Sequence, residues 1–136
     1  MGDLTKNISR HEVLCHCGKC DVDTIDFETV MLVQGACDHF AEKLGVDKVI
    51  LRISSGSRCQ KHNDTPVNLG GAGGSKGSYH KKMKAIDHRI DGVSVRDLYD
   101  YYNSLHPNRL GLGLYEKPKV NTPFVHIDPR PIKARW

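Results

Sequence analysis

Gly77-Ser78-Tyr79-His80-Lys81-Lys82-Met83-Lys84-Ala85-Ile86-Asp87-His88 is the stretch from which the chain is read, and Phe124-Val125-His126-Ile127-Asp128 answers it nearer the C-terminus. Six residues separate His80 from Asp87, and His126 lies in a short β-branched run. Two imidazoles and one carboxylate from distant parts of the chain can therefore meet at a metal. Zinc held by two nitrogens and a carboxylate oxygen keeps its fourth position for water, whereas a structural zinc closes with four protein ligands, mostly cysteine. Spacing of this kind is a weak signal alone, and chance proximity among eight histidines and several aspartates competes with it.

The neighbouring segments supply the frame. Lys84 to Ile90 reads as a strand with Ala85, Asp87 and Arg89 on one face and Ile86, His88 and Ile90 on the other, which leaves His88 out of the metal set. Leu110 to Tyr115 and Phe124 to Asp128 flank a turn-prone Lys117-Pro118-Lys119-Val120-Asn121-Thr122-Pro123 and read as an antiparallel hairpin. His126 and Asp128 then share a face. The register stays open. If Gly113 stands opposite His126, then Gly111, Gly113 and Tyr115 join that face, and the two absent side chains leave room for a metal and an extended peptide, or else mark sheet twist or a bulge. In that register Tyr115 offers a hydroxyl at the rim.

Ser78-x-His80 with Asp87 and Ala85, an upstream Ser55-Gly56-Ser57-Arg58, and the late Val125-His126-Ile127-Asp128 resemble the zinc D-Ala-D-Ala carboxypeptidase family, whose fold relatives include phage L-alanyl-D-glutamate endolysins and the hedgehog signalling domain. The likeness runs in order from about His11 to Trp136. It implies an α+β fold, a small antiparallel sheet with helices packed on one side, and zinc bound by His80, Asp87 and His126. It also implies a peptidoglycan stem-peptide substrate, cut at a D-alanyl-D-alanine or an L-alanyl-D-glutamate bond. Arg58 would face the substrate, its fixed charge suiting a peptide carboxylate or a developing oxyanion, and Ser78 would hydrogen-bond the substrate. Met83 departs from the family, where glycine is usual, and puts substrate preference in question.

A zinc peptidase needs a group that takes a proton from water and delivers it to the leaving amine. Several relatives carry a glutamate three residues before the last histidine, a place held here by Pro123. Asp128 is the first choice for the catalytic base, its alternative role being to orient an imidazole, and Glu116 is the reserve. The missing glutamate also favours a non-catalytic zinc-binding module of the same fold.

Length suits one domain of 136 residues, and 38% hydrophobic with 26% charged residues suits a compact, loop-rich one. Residues 1–10 read as a loose polar arm and 11–136 as a single zinc peptidase-like domain. Ser9-Arg10-His11-Glu12 reads as a capping box. Apolar residues at Ile25, Val30, Met31, Val33, Cys37, Phe40, Ala41 and Leu44 predict an amphipathic helix from Thr24 to about Leu44, ended by Gly45. Lys48 to Ser54 has the β-branched content of a strand. Ser94 and Asp97 open a second helix, running to about Ser104, in which Tyr101 and Tyr102 are core rather than ligand-binding residues. Residues 60 to 77 are too glycine-rich for helix or strand and read as a mobile loop able to close over substrate, with no phosphate-loop frame.

Cys15-His16-Cys17-Gly18-Lys19-Cys20 lacks a second paired-cysteine motif, and Cys37 and Cys59 stand apart. A turn with reduced thiols, or one local disulfide, is the reading preferred to a second metal site. A nucleic-acid module built on this cluster is disfavoured by a net charge of only +4. No membrane span is evident, and a monomer is expected. Met1 to Lys6 lacks the apolar core of a secretion signal. The expectation is synthesis in the cytoplasm and action at the cell wall or periplasm, as a phage lysis or tail-associated role would allow.

Overall fold

The computed structural model describes residues 2–17, 25–69, 71–74, 77–82 and 84–136. Gly18, Lys19, Cys20, Thr24 and Met83 lie outside the described residues, as do positions 70, 75 and 76 of the 60–77 stretch. The strands are β1 (Leu51–Ser55), β2 (Ile86–Ile90), β3 (Gly111–Tyr115), β4 (Phe124–Asp128) and β5 (Ala134–Arg135). They form one sheet in the order β1-β2-β4-β3-β5, antiparallel except where β5 runs parallel to β3. The helices are α1 (Arg10–Val13), α2 (Phe27–Leu44), α3 (Gln60–Asp64) and α4 (Val95–Leu105).

Period-two alternation divides the sheet into an apolar face and a polar one. Ile86, Ile90, Leu112, Val125 and Ile127 join Val30, Val33, Cys37 and Phe40 of α2 and Leu98 and Tyr102 of α4 in one core. Each fully buried large side chain there contributes about 1.5–3 kcal/mol relative to exposure. His88 shares this apolar face and is fully buried, with Nε2 2.8 Å from the Tyr102 hydroxyl. Its exclusion from the metal set therefore has a structural cause, as does the assignment of Tyr102 to the core.

Local chemistry sets the helix ends, with α2 starting at Phe27 rather than the expected Thr24 and two further differences. Asp26 caps α2 by accepting from Thr29 N–H at 3.3 Å, and Gly45 ends it in the left-handed region at φ 70°. Ser94 caps α4 through Asp97 N–H at 3.0 Å, and Glu12 reaches back to Ser9 N–H at 2.9 Å. Met31 and Leu44, placed by spacing on the buried stripe, are exposed, Met31 at the stripe's edge and Leu44 as the last residue of the helix. The 60–77 stretch is not wholly irregular, since Gln60–Asp64 makes α3, capped by the Cys59 sulfur, and Val67–Leu69 makes a 3₁₀ turn.

The expected loose arm is instead tied down. Ile8 is fully buried in the core, and Asn7 exchanges hydrogen bonds with Gln34 at 3.0 and 2.8 Å while donating to Val49 O at 2.9 Å. A buried amide in a closed network replaces the water that a free arm would keep.

Candidate metal centre and cleft

The polar face of the sheet carries the site. Register sets Asp87 opposite His126 between β2 and β4, and Gly113 opposite His126 between β3 and β4, so the open alternative resolves in favour of a shared face. An irregularity in β1 between Ile53 and Ser55 brings Ser55 beside Asp87. Ser55 Oγ thereby accepts from Arg58 Nε at 3.0 Å.

His80 enters from the loop preceding β2. Arg58 N–H donates to His80 O at 2.9 Å, and His80 Nδ1 lies 2.6 Å from Gly56 O, so the two loops hold each other. Ser78 Oγ accepts from His80 N–H at 3.2 Å.

The donor set fits a divalent cation. Gly56 O can only accept, so His80 Nδ1 carries the proton and Nε2 turns a lone pair towards Asp87 Oδ1 at 3.2 Å. Asp128 Oδ2 lies 2.8 Å from His126 Nε2, which carries that ring's proton and leaves Nδ1 facing the same Asp87 oxygen at 2.9 Å. Two imidazole lone pairs and a carboxylate oxygen thus converge, and a cation between them satisfies all three. Bonds of about 2.0–2.1 Å in a tetrahedral arrangement put such donors roughly 3.3 Å apart, close to the separations seen. His80, Asp87 and His126 are all buried, and their ligand atoms lie within 4.8 Å of one another.

When protons rather than a cation lie between them, the same three groups couple as hydrogen-bonded charges. Burial would raise the Asp87 carboxyl, but hydrogen bonds and charge from His126 and His80 hold it well below the usual carboxylate range. Burial would lower His126, and its hydrogen bonds to Asp128 and Asp87 raise it instead.

Arg58, Ser78, Tyr115, His80, Asp87 and His126 all line one cleft of about 600 Å³, a size suited to a peptide segment. Arg58 NH2 lies 3.5 Å from Asp87 Oδ2 and NH1 donates to buried Asn63 at 3.2 Å. Tyr115 stacks on Phe124 at 4.4 Å, and its hydroxyl accepts from Trp136 Nε1 at 2.7 Å.

The two carboxylates expected as catalytic bases stand elsewhere. Asp128 is fully buried, and Arg130 grips it through Nε to Oδ1 and NH2 to Oδ2, each at 2.7 Å, while His126 occupies Oδ2 as well. Burial would raise this carboxyl, but Arg130 and then His126 hold it well below the usual range. Glu116 pairs with Arg96 at 2.7 Å on the surface. Neither lines the cleft.

The glycines open space for different occupants from those expected. A Cβ at Gly111 would collide with the Asp128 carboxylate and Arg130, and one at Gly113 with the Trp136 indole. The room beneath β3 therefore belongs to an ion pair and a tryptophan.

The sequence reading missed Arg130 and Trp136. Arg130 lines the cleft with its guanidinium 4.3 Å from the Tyr79 ring centre and 5.2 Å from that of Trp136. The available signals were a basic residue two after Asp128 and the chain's single tryptophan.

The model of the family described as peptidoglycan L,D-endopeptidase MepK matches residues 21–136. The chain belongs to that family. This MepK-family member is accordingly a peptidase of the peptidoglycan-acting class, and the α+β fold with its mostly antiparallel five-stranded sheet accords with the resemblance. No curated protein and no solved structure gives a match.

Proposed function

We propose that the chain is a zinc-dependent peptidase that hydrolyses peptidoglycan stem peptides at the cell wall, with an L,D-endopeptidase cut as first choice and a D-alanyl-D-alanine carboxypeptidase cut as second. The observation that carries the proposal is the convergence of His80 Nε2, Asp87 Oδ1 and His126 Nδ1 in a cleft. The family description supports the choice of bond.

A zinc ion held there supplies Lewis acidity towards the scissile carbonyl and acidifies a water. The remaining work falls to side chains. Gly56 O and Asp128 fix the proton of each imidazole on the nitrogen away from the centre, so the other stays basic. Arg58 and Arg130 make the cleft cationic, suited to a stem peptide bearing carboxylates. Arg58, held by Ser55 and Asn63, is pre-aimed to bind a carboxylate or the oxyanion that develops during attack. Ser78 and Tyr115 offer hydroxyls along the bound peptide, and Phe124 and Trp136 an apolar wall. Asp128 is a positioning residue.

Among the described residues lining the cleft, Asp87 has the sole side-chain carboxylate. That observation favours the second reading, a zinc-binding module without turnover. One experiment separates them. Purified peptidoglycan digested by the protein and resolved by mass spectrometry should yield one defined peptide product, lost with chelator and restored by zinc. Stoichiometric zinc with no product would establish the non-catalytic module.

A further inference from the structure

Away from the cleft's donor set, Cys15, Cys17 and Cys59 bring three sulfur atoms within 4.8 Å of one another. None of the three is in a disulfide. The cluster joins the turn after α1 to the residue that precedes α3, across more than forty positions of sequence. Cys15 and Cys17 also lie outside the segment matched by the family model.

The geometry points to a second zinc site that serves the scaffold, with Cys15, Cys17 and Cys59 as three thiolate ligands. Cys17 Sγ and Cys59 Sγ are 3.9 Å apart. A disulfide requires about 2.05 Å. Two sulfurs bound tetrahedrally at about 2.3 Å from one zinc stand roughly 3.8 Å apart, which is the separation present. Backbone donors are also aimed at the sulfurs. Cys59 N–H donates to Cys15 Sγ at 3.3 Å and His62 N–H to Cys59 Sγ at 3.4 Å. Such bonds steady a thiolate and orient it towards a metal. Cys15 is buried while Cys17 and Cys59 are partly exposed, so the group is shielded yet open to an entering ion. Soft thiolates select zinc over hard divalent ions.

The location gives such an ion a task. Gly56, Ser57 and Arg58 immediately precede Cys59, and Ser57 N–H already donates to Val13 O at 2.8 Å. Gly56 packs so closely on Val13 that a Cβ would collide with its backbone. An ion tying Cys59 to Cys15 and Cys17 would fasten the loop that presents Gly56 O to His80 and Arg58 to Asp87. The second site is therefore a clamp on the scaffold of the first and takes no part in bond cleavage.

The test titrates the full chain, demetallated and kept reduced, with cobalt(II). Thiolate ligation produces a sulfur-to-metal charge-transfer band that histidine and aspartate ligation does not. The wild type should show this band, complete by roughly two equivalents because the His/Asp centre also takes cobalt, and should hold roughly two zinc ions per chain. His126→Ala should lose about one zinc yet keep the band, which separates this proposal from the reading of the cleft. Cys17→Ser and Cys59→Ser should lose the band. Should the serine variants not fold, wild-type alkylation decides. Cys15, Cys17 and Cys59 should be protected by zinc and labelled after chelation. A wild type without the band, equal labelling in both states, or a disulfide between any of the three overturns the proposal.

Discussion

Asp128 and Arg130 clasp each other through two parallel hydrogen bonds of 2.7 Å, and the same carboxylate holds His126 Nε2 at 2.8 Å. The chain from guanidinium to carboxylate to imidazole ends at the nitrogen that faces Asp87. Arg130 thus sets the charge of Asp128, and Asp128 sets the tautomer of His126.

That arrangement separates two roles for Asp128 by experiment. Asp128→Asn keeps the shape but weakens the acceptor, so zinc affinity should fall about 10–100-fold, as for other outer partners of metal ligands. Activity at saturating zinc should recover most of the loss. A proton-transfer role predicts the opposite, a drop of about 10²–10⁴ in kcat with zinc affinity unchanged. Zinc titration followed by kcat at saturation measures both.

Removal of the metal should act more severely than loss of Asp128. Chelation should abolish cleavage and added zinc should restore it. His80→Ala and His126→Ala should bind zinc at the His/Asp centre more weakly by well over the roughly 10–100-fold expected of an outer partner. Metal analysis alongside the peptidoglycan digest provides the check, and zinc-independent cleavage would refute the metal reading.

Gly111 tests the packing behind the centre. Its Cβ position is occupied by the Asp128 carboxylate and Arg130, and Asp128 is fully buried with nowhere to retreat. Gly111→Ala should cost about 1–3 kcal/mol as an overpacking change and weaken zinc binding by displacing Asp128. Gly113→Ala presses on the Trp136 indole, which is 44% exposed and so has solvent beside it rather than packed core. It should be tolerated in stability while altering substrate KM. Denaturant melts of both variants give the comparison.

How much of this could be read in advance follows from what each feature depends on. The α2 helix announces itself because Val30, Val33, Cys37 and Phe40 recur at helical spacing and Gly45 stops it, all local signals. His126 and Asp87 were nameable because each sits on a strand whose alternation assigns it a face. Pairing one with the other needed the register, a property of two strands together. The Trp136 contacts with Gly113, Tyr115 and Arg130 depend on β5 returning beside β3, which no local period encodes. Ile8 stands isolated among polar residues, so burial there comes from tertiary contact with Gln34 and Val49 through Asn7. The α3 helix is one short turn capped by a thiol, below the length at which periodicity speaks.

Buried His88 makes the fold sensitive to acid. Nδ1 donates to Ile86 O at 3.2 Å and Nε2 accepts from the Tyr102 hydroxyl at 2.8 Å, so the neutral ring is fully satisfied and a second proton has no place. Burial lowers its pKa to about 4, outweighing the hydrogen bond to Ile86 and the charge of Asp87. Unfolded, the ring titrates near 6.5. Between those values the unfolded chain binds a proton that the folded chain refuses, so stability is complete above about pH 6.5 and declines as pH falls towards 4. The loss from this residue should total about 3 kcal/mol. His126, raised in the fold, contributes with the opposite sign and only above about pH 6.5. Asp87 and Asp128, lowered in the fold, weaken it only below about pH 4. His88→Leu combined with Tyr102→Phe removes the titrating ring without leaving a buried hydroxyl unpaired. Chemical denaturation across the window should then show a steep pH slope in the wild type and a nearly flat one in the double variant. Parallel slopes would mean that His88 is protonated in the folded chain and that its bond to Tyr102 does not hold the neutral form.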